Sequence, residues 1–352
     1  MDLPFSFDKI PAGASIVGRT GEIAAVMSAL EPGGRSLAIY GEARSGKETI
    51  VREAIDRVRK TNPRLIVCEI DLISIRTAED FFTLWRKKMK SCAEAVNHDA
   101  LLPFEIAIDD IAENKIFELP GIISNESGAQ MVVYFKEFQN MLRVEDEQFH
   151  LETLDRAWSR QNTVHYLLTG SFVNAMKVIF EERKCFYGMC RTLEMQPLEK
   201  KLVCEYIRST FLNLGRVIEM EEALAIYEIS SGNMWYVKQL CANCYSLPAG
   251  YVSRTIVNQA RNMLLAVHTP RFKQWLFDLT VNQINLLHAI VDGVRKFSSA
   301  DIMEQYRLNS SAGVARSREA LSKRELVTFD SEDNARLTDP LFEYWLRNYY
   351  FV

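Results

Sequence analysis

The chain has 352 residues, 48% hydrophobic and 25% charged, which at roughly 150 residues per domain means two or three globular domains and excludes a lone small module. Its 42 basic and 46 acidic residues leave a net charge of −4. That excludes a protein that coats nucleic acid by bulk charge and confines any DNA contact to a local patch. Residues Met1 to Pro11 lack a basic region followed by an apolar core, and no run approaches the ~18 apolar residues of a membrane helix. The expectation is a cytoplasmic protein with no membrane contact.

In chain order, a short apolar run at Ser36 to Tyr40 leads through a glycine-rich turn into a helical pattern with Ile50, Val51, Ala54, Ile55 and Val58 on one face. A second strand is expected from Leu65 to Ile70, ending in Asp71, followed by an amphipathic helix carrying Phe81, Phe82, Trp85 and Met89. Met131 to Phe135 and Val164 to Leu168 are two further runs rich in β-branched and aromatic residues. Strands alternating with helices predict a parallel sheet covered on both faces. The span 101–130, punctuated by Pro103, Pro120, Gly121 and Gly128, shows no sustained period and is expected to be an irregular insertion.

After Met195 the strand-like runs stop, and Leu198 to Pro270 read as consecutive short helices. The last eighty residues differ again. Thr280 and Gln283 form a capping box opening a helix whose apolar face is Ile284, Leu287, His288 and Val291. Shorter helices are expected near Ser299 to Tyr306 and Ser310 to Lys323. A hairpin follows, of Leu326 to Phe329 with Ala335 to Leu337 across the turn Ser331 to Asn334. Three helices and a hairpin make a winged helix. The expected division is therefore 1–196, 197–270 and 271–352.

Seven cysteines without regular spacing fit a reducing compartment. Two pairs, Cys185 with Cys190 and Cys241 with Cys244, suggest a metal, but Cys241 and Cys244 share the helical face of Val237 and Leu240, so packing explains them better than a zinc pair. The five histidines form no metal motif, and no metal site of side chains is expected.

The chemistry concentrates at Gly41-Glu-Ala-Arg44-Ser45-Gly46-Lys47-Glu48, which matches G-x-x-x-x-G-K but lacks the final Ser or Thr. It sits after a strand and at a helix start, where glycines let backbone N–H groups approach phosphate oxygens and Lys47 supplies a point charge. Thr49 follows one residue too late to replace the missing hydroxyl, since one helical step turns a side chain by roughly 100°.

Several motifs in order extend this match. Ile16-Val-Gly-Arg19 with Glu22 precedes the first helix, and Val132-Val-Tyr-Phe-Lys136-Glu137-Phe138-Gln139 ends a strand in charge. Leu167-Leu-Thr-Gly170-Ser171 closes the next strand, Phe186-Tyr-Gly188 follows, and Asp339-Pro-Leu-Phe342 with Trp345 ends the chain. Over nearly its full length the sequence resembles the archaeal-type P-loop ATPases, a group of the AAA+/STAND-like ATPases. The resemblance implies an α/β fold of the ASCE/AAA+ type: a parallel P-loop sheet, a helical lid, marked by the Gly232-Asn233 turn, and a carboxy-terminal winged helix. It further implies an adenine nucleotide, ATP or ADP, held by Gly41, Arg44, Ser45, Gly46, Lys47, Glu48 and Thr49. Glu137 takes the place of the residue that polarises the attacking water, and Ser171 that of the γ-phosphate sensor.

The departures fall on the metal. A working P-loop ATPase holds Mg²⁺ with the hydroxyl after its lysine and with a Walker B aspartate. This chain has Glu48 and Lys136 at those positions, and Met189 where the family's Y-G-R turn has arginine. Opposite charges facing each other across the loop suggest an ion pair in the place of Mg²⁺, whose binding is thereby put in question. Arg156 and Arg160 lie where oligomeric relatives can carry an arginine reaching a neighbour's nucleotide, although solvated salt bridges suit them equally.

The segment Arg307 to Arg324 carries five basic residues against Glu319 alone. Arg316, Arg318, Lys323 and Arg324 are thus candidates for DNA contact, set against an acidic wing turn. The expected function is nucleotide binding used as a conformational switch by a homo-oligomer or partner complex, with weak or lost hydrolysis. The alternatives are an active Mg²⁺-dependent ATPase, and a DNA-binding or protein-docking module that no longer uses nucleotide.

Overall fold

The computed structural model describes residues 5–98, 108, 113–330 and 334–352. Contacts divide the chain into two compact units. One comprises Arg19–Gly41 and Gly46–Met195; the other comprises Met1–Gly18, Glu42–Ser45 and Gln196–Val352.

The first unit is the α/β body. Its elements are α1 (Thr20–Ala29), β1 (Ser36–Tyr40), α2 (Lys47–Thr61), β2 (Ile66–Asp71), α3 (Ala78–His98), α4 (Leu119–Ser127), β3 (Met131–Lys136), α5 (Glu147–Trp158), β4 (Val164–Gly170), α6 (Val173–Lys177) and β5 (Cys190–Glu194). The strands form one parallel sheet in the order β2-β3-β4-β1-β5. Every residue of β1 and β4 is buried, as are the first five of β3, which is why these three read as unbroken apolar runs. The fifth strand was not expected: β5 is an edge strand with exposed Arg191 and Thr192, so its sequence carries no hydrophobic signal.

The amphipathic face of α3 is as expected, with Phe81, Trp85 and Met89 buried at spacings of four. They meet an aromatic cluster in which Trp158 stacks on Tyr166 at 4.1 Å between ring centroids and packs on Phe135 and Phe186, each at 5.4 Å. Part of the 101–130 span, residues 101–107 and 109–112, lies outside the described residues. The rest is less irregular than expected, since Pro120 stands in the first turn of α4 and Gly128 caps its end at φ +61°.

The second unit is largely helical: α7 (Lys200–Asn213), β6 (Val217–Ile218), α8 (Met220–Ser230), α9 (Met234–Ser246), β7 (Tyr251–Val252), α10 (Arg254–Phe277), α11 (Val281–Val291), α12 (Ala300–Gln305), α13 (Ser311–Lys323), β8 (Val327–Phe329), β9 (Ala335–Leu337) and α14 (Pro340–Trp345). Cys241 and Cys244 are fully buried with Val237 and Leu240 in its core. The helices are not all short. α10 runs 24 residues and contains Pro270. The winged-helix pattern is present, with α11, α12 and α13 followed by the antiparallel pair β8–β9 in the register Val327↔Leu337. The capping box at Thr280 and Gln283 is formed. The buried face of α11 differs from expectation: Leu286, Leu287, Ile290 and Val291 are inside, while His288 stacks on Phe351 at 4.3 Å.

Asp339 joins three helices of this unit. Its Oδ1 accepts from the backbone N–H groups of Leu341 and Phe342, both at 3.0 Å, capping α14. Its Oδ2 accepts from Tyr236 on α9 at 2.8 Å and from Arg271 on α10 at 2.9 Å. Asp339→Ala removes the cap, leaves the Tyr236 hydroxyl without its acceptor and leaves Arg271 with the Tyr236 oxygen, to which it donates at 3.0 Å, in place of a carboxylate. The expected destabilisation, read as a shift in denaturant midpoint, is about 2–4 kcal/mol.

Candidate nucleotide site

The loop between β1 and α2 reaches the helix through Gly46 at φ +98°, a left-handed conformation that strains any side chain, and open space lies where a Cβ would stand. A backbone of this form with a helix amino end behind it is a cradle for phosphate oxygens. Lys47 begins α2, is buried to 7% exposure, and donates from Nζ to the Gly41 carbonyl at 2.8 Å. Arg44 belongs to the second unit, where its guanidinium sits 3.8 Å from the centroid of the Trp235 ring, and Asn233 caps α9 by accepting from Trp235 N–H. Ser45 donates its backbone N–H to the Glu42 carbonyl at 3.2 Å.

The ion pair suggested by the sequence is formed. Lys136, at the end of β3, places Nζ 2.6 Å from Glu48 Oε1 in the first turn of α2. Two residues that sequence reasoning did not single out complete a network. Lys136 also binds Glu69 on β2, and Arg52 lies 2.8 Å from Glu48 and 3.6 Å from Glu69. The i,i+4 spacing of Glu48 and Arg52 was a readable signal for one of these contacts. Glu69 carried none, because its place depends on the pairing of β2 with β3, where Glu69 faces Tyr134 and Asp71 faces Lys136. Partial burial works against both charges of the central pair, but the hydrogen bonds outweigh it. They hold the Lys136 ammonium above its usual range and the Glu48 carboxyl below its own.

Mg²⁺ does not fit these residues. An ammonium stands at hydrogen-bond distance from the carboxylate that replaces the metal-binding hydroxyl, and both members of the pair are held in their charged forms. A cation approaching Glu48 would displace Lys136 and Arg52 from it.

Next to the network, Glu137 turns out of β3 at φ +54° and has both carboxylate oxygens engaged. Ser171 donates to Oε1 at 2.8 Å, and Gln139 donates to Oε2 at 2.7 Å. The Ser171 side chain does not cap α6, whose N-cap is Phe172. Gly170 is required at its position, since a Cβ there would lie 2.4 Å from Met176 Sδ and 2.7 Å from Gln139 Oε1. Gly170→Ala should push on both side chains and loosen the Gln139 contact to Glu137. The expected loss, measured as a fall in unfolding free energy, is about 1–3 kcal/mol.

Of the other sequence candidates, Arg19 pairs with Glu22 at 2.7 Å at the start of α1. Tyr187 and Gly188 form an exposed turn, and Arg156 and Arg160 are exposed. On α13, Arg316 and Lys323 are exposed, as is Arg324 at its end, but Arg318 is half-buried with its guanidinium 4.2 Å from the centroid of Phe329. The acidic wing turn falls on residues 331–333, outside those described, apart from Asn334.

Sheet order, loop, and the helix after Lys47 define a P-loop ATPase fold with a carboxy-terminal winged helix, and comparison with known proteins agrees. Residues 270–348 match the family described as "Probable winged helix domain". Among solved structures, the chain is similar to the Walker-type ATPase PABY2304 of Pyrococcus abyssi. That match has TM-score 0.74 and 16% identity, over 97% of this chain and 99% of that one. It is also similar to the ORC2 protein of Aeropyrum pernix in its ADPNP-ADP complexes, with TM-score 0.63 and 15% identity over 98% and 96% of the two chains. Cdc6p of Pyrobaculum aerophilum aligns with TM-score 0.50 and 11% identity, over 99% and 96%. No curated protein sequence matches the chain. At these identities the likeness is one of fold. Among the described residues, no helix is long and apolar enough to cross a membrane.

Proposed function

We propose that the chain is an adenine-nucleotide-binding switch whose hydrolysis is weak or absent, acting within a homo-oligomer or partner complex. One observation carries this reading: the 2.6 Å contact between Lys136 and Glu48, an ammonium where phosphoryl transfer ordinarily needs a divalent cation. The cradle at Gly46 and the buried Lys47 support phosphate binding, and the ADPNP and ADP of the Aeropyrum ORC2 protein support adenine nucleotide as the ligand. Charge neutralisation at the transferring group supplies most of the catalysis in this reaction class, so nucleotide bound without metal should persist. Glu137 remains in the position of a water-polarising residue, held by Ser171 and Gln139. Steady-state phosphate release from ATP with and without Mg²⁺ tests the reading: release at or near background in both is expected, and fast multiple turnover that depends on Mg²⁺ would reject it.

A second reading, DNA contact through the winged helix, is favoured by the exposed Arg316, Lys323 and Arg324 on and just after α13. A binding titration of duplex DNA over a salt series should show affinity falling as salt rises. No binding at low ionic strength would remove this reading.

A further inference from the structure

The network around Lys136 bears on which nucleotide the loop takes. Glu48, Glu69, Lys136 and Arg52 comprise two negative and two positive charges in mutual contact, so together they offer no net positive charge to a ligand. Lys136 and Arg52 each contact both carboxylates. In P-loop sites the loop backbone and its lysine cradle the inner phosphates, while the metal offsets the charge of the terminal one. Here a diphosphate would use the parts that are intact, namely the cradle at Gly46 and Lys47. A terminal third phosphoryl group would bring further negative charge beside Glu48 in the first turn of α2 and towards Glu137, where Lys136 and Arg52 are already paired with Glu48 and Glu69 and no surplus positive charge is left to offset it.

We infer that the loop selects a nucleoside diphosphate without a divalent cation and discriminates against the triphosphate, the reverse of a metal-dependent ATPase. The inference rests on the proposal that the loop binds adenine nucleotide, and goes beyond it in naming the phosphorylation state. Discrimination would come from the terminal phosphoryl charge that this neutral network leaves without compensation, a cost the diphosphate does not meet.

The test is equilibrium binding of ADP and of ATP to the full chain, each in EDTA and each in Mg²⁺. The expected result is ADP tighter than ATP by about tenfold or more in both conditions. Glu48→Gln, with thermal melting as the control for folding, should narrow that ratio towards one by removing the opposing charge. Equal affinities for the two nucleotides in the unaltered chain would overturn the inference while leaving nucleotide binding standing. ATP binding tighter than ADP once Mg²⁺ is added would overturn it as well. Failure of either nucleotide to bind would overturn both the inference and the proposal beneath it. A ratio that survives Glu48→Gln would overturn the inference that charge at this network sets the selection.

Discussion

Glu48→Thr combined with Lys136→Asp is expected to convert the loop into a magnesium-dependent ATP site, with Mg²⁺ tightening ATP binding on the order of 10–100-fold, the range that loss of metal-supporting groups commonly costs. The double change restores a hydroxyl after Lys47 and a carboxylate at the end of β3, the two groups that hold the ion in working P-loop ATPases. Each single change should fail for its own reason. Lys136→Asp alone sets a new carboxylate against Glu48 and Glu69 with only Arg52 to offset them, whereas Glu48→Thr alone leaves Lys136 held by Glu69 where the metal would sit. The effects should therefore be strongly non-additive, as for groups in direct contact. Titration of ATP with and without Mg²⁺ across the four proteins gives the result directly.

The largest loss of stability is expected at Trp158. Its indole is 1% exposed, stacks on Tyr166 at 4.1 Å with the rings 14° apart, and also packs on Trp85, Phe135, Phe138 and Phe186. Trp158→Ala leaves a cavity between α5 and the sheet, at a cost of about 3–5 kcal/mol. The indole Nε1–H is buried without a hydrogen-bond partner among the described residues. Trp158→Phe, which keeps much of the ring contact and removes that donor, should therefore cost far less. Denaturant midpoints for the two variants distinguish a packing role from a polar one.

The sequence disclosed those features that depend on local pattern. β1, β3 and β4 were legible because both their faces are buried, and the phosphate loop because glycines and lysine at fixed spacing must follow a strand. The Glu48–Lys136 pair was legible because two substitutions of opposite sign fell on positions that share one ion. Features set by tertiary pairing were not. β5 is a polar edge strand held by its register with β1, and Glu69 reaches Lys136 only because β2 lies beside β3. Leu198 to Pro270 read as consecutive short helices, yet α10 continues across Pro270, which removes one backbone donor, with Leu264, His268, Phe272 and Leu276 buried along one side. Burial of that stripe outweighs the local preference.

Whether Lys136 takes the place of the divalent cation is read from the affinity of the unaltered chain for ATP in EDTA against that in Mg²⁺. No gain in affinity is expected when Mg²⁺ replaces EDTA. A gain of about tenfold or more would mean that the ion displaces Lys136 from Glu48 and that the ammonium does not stand in for it.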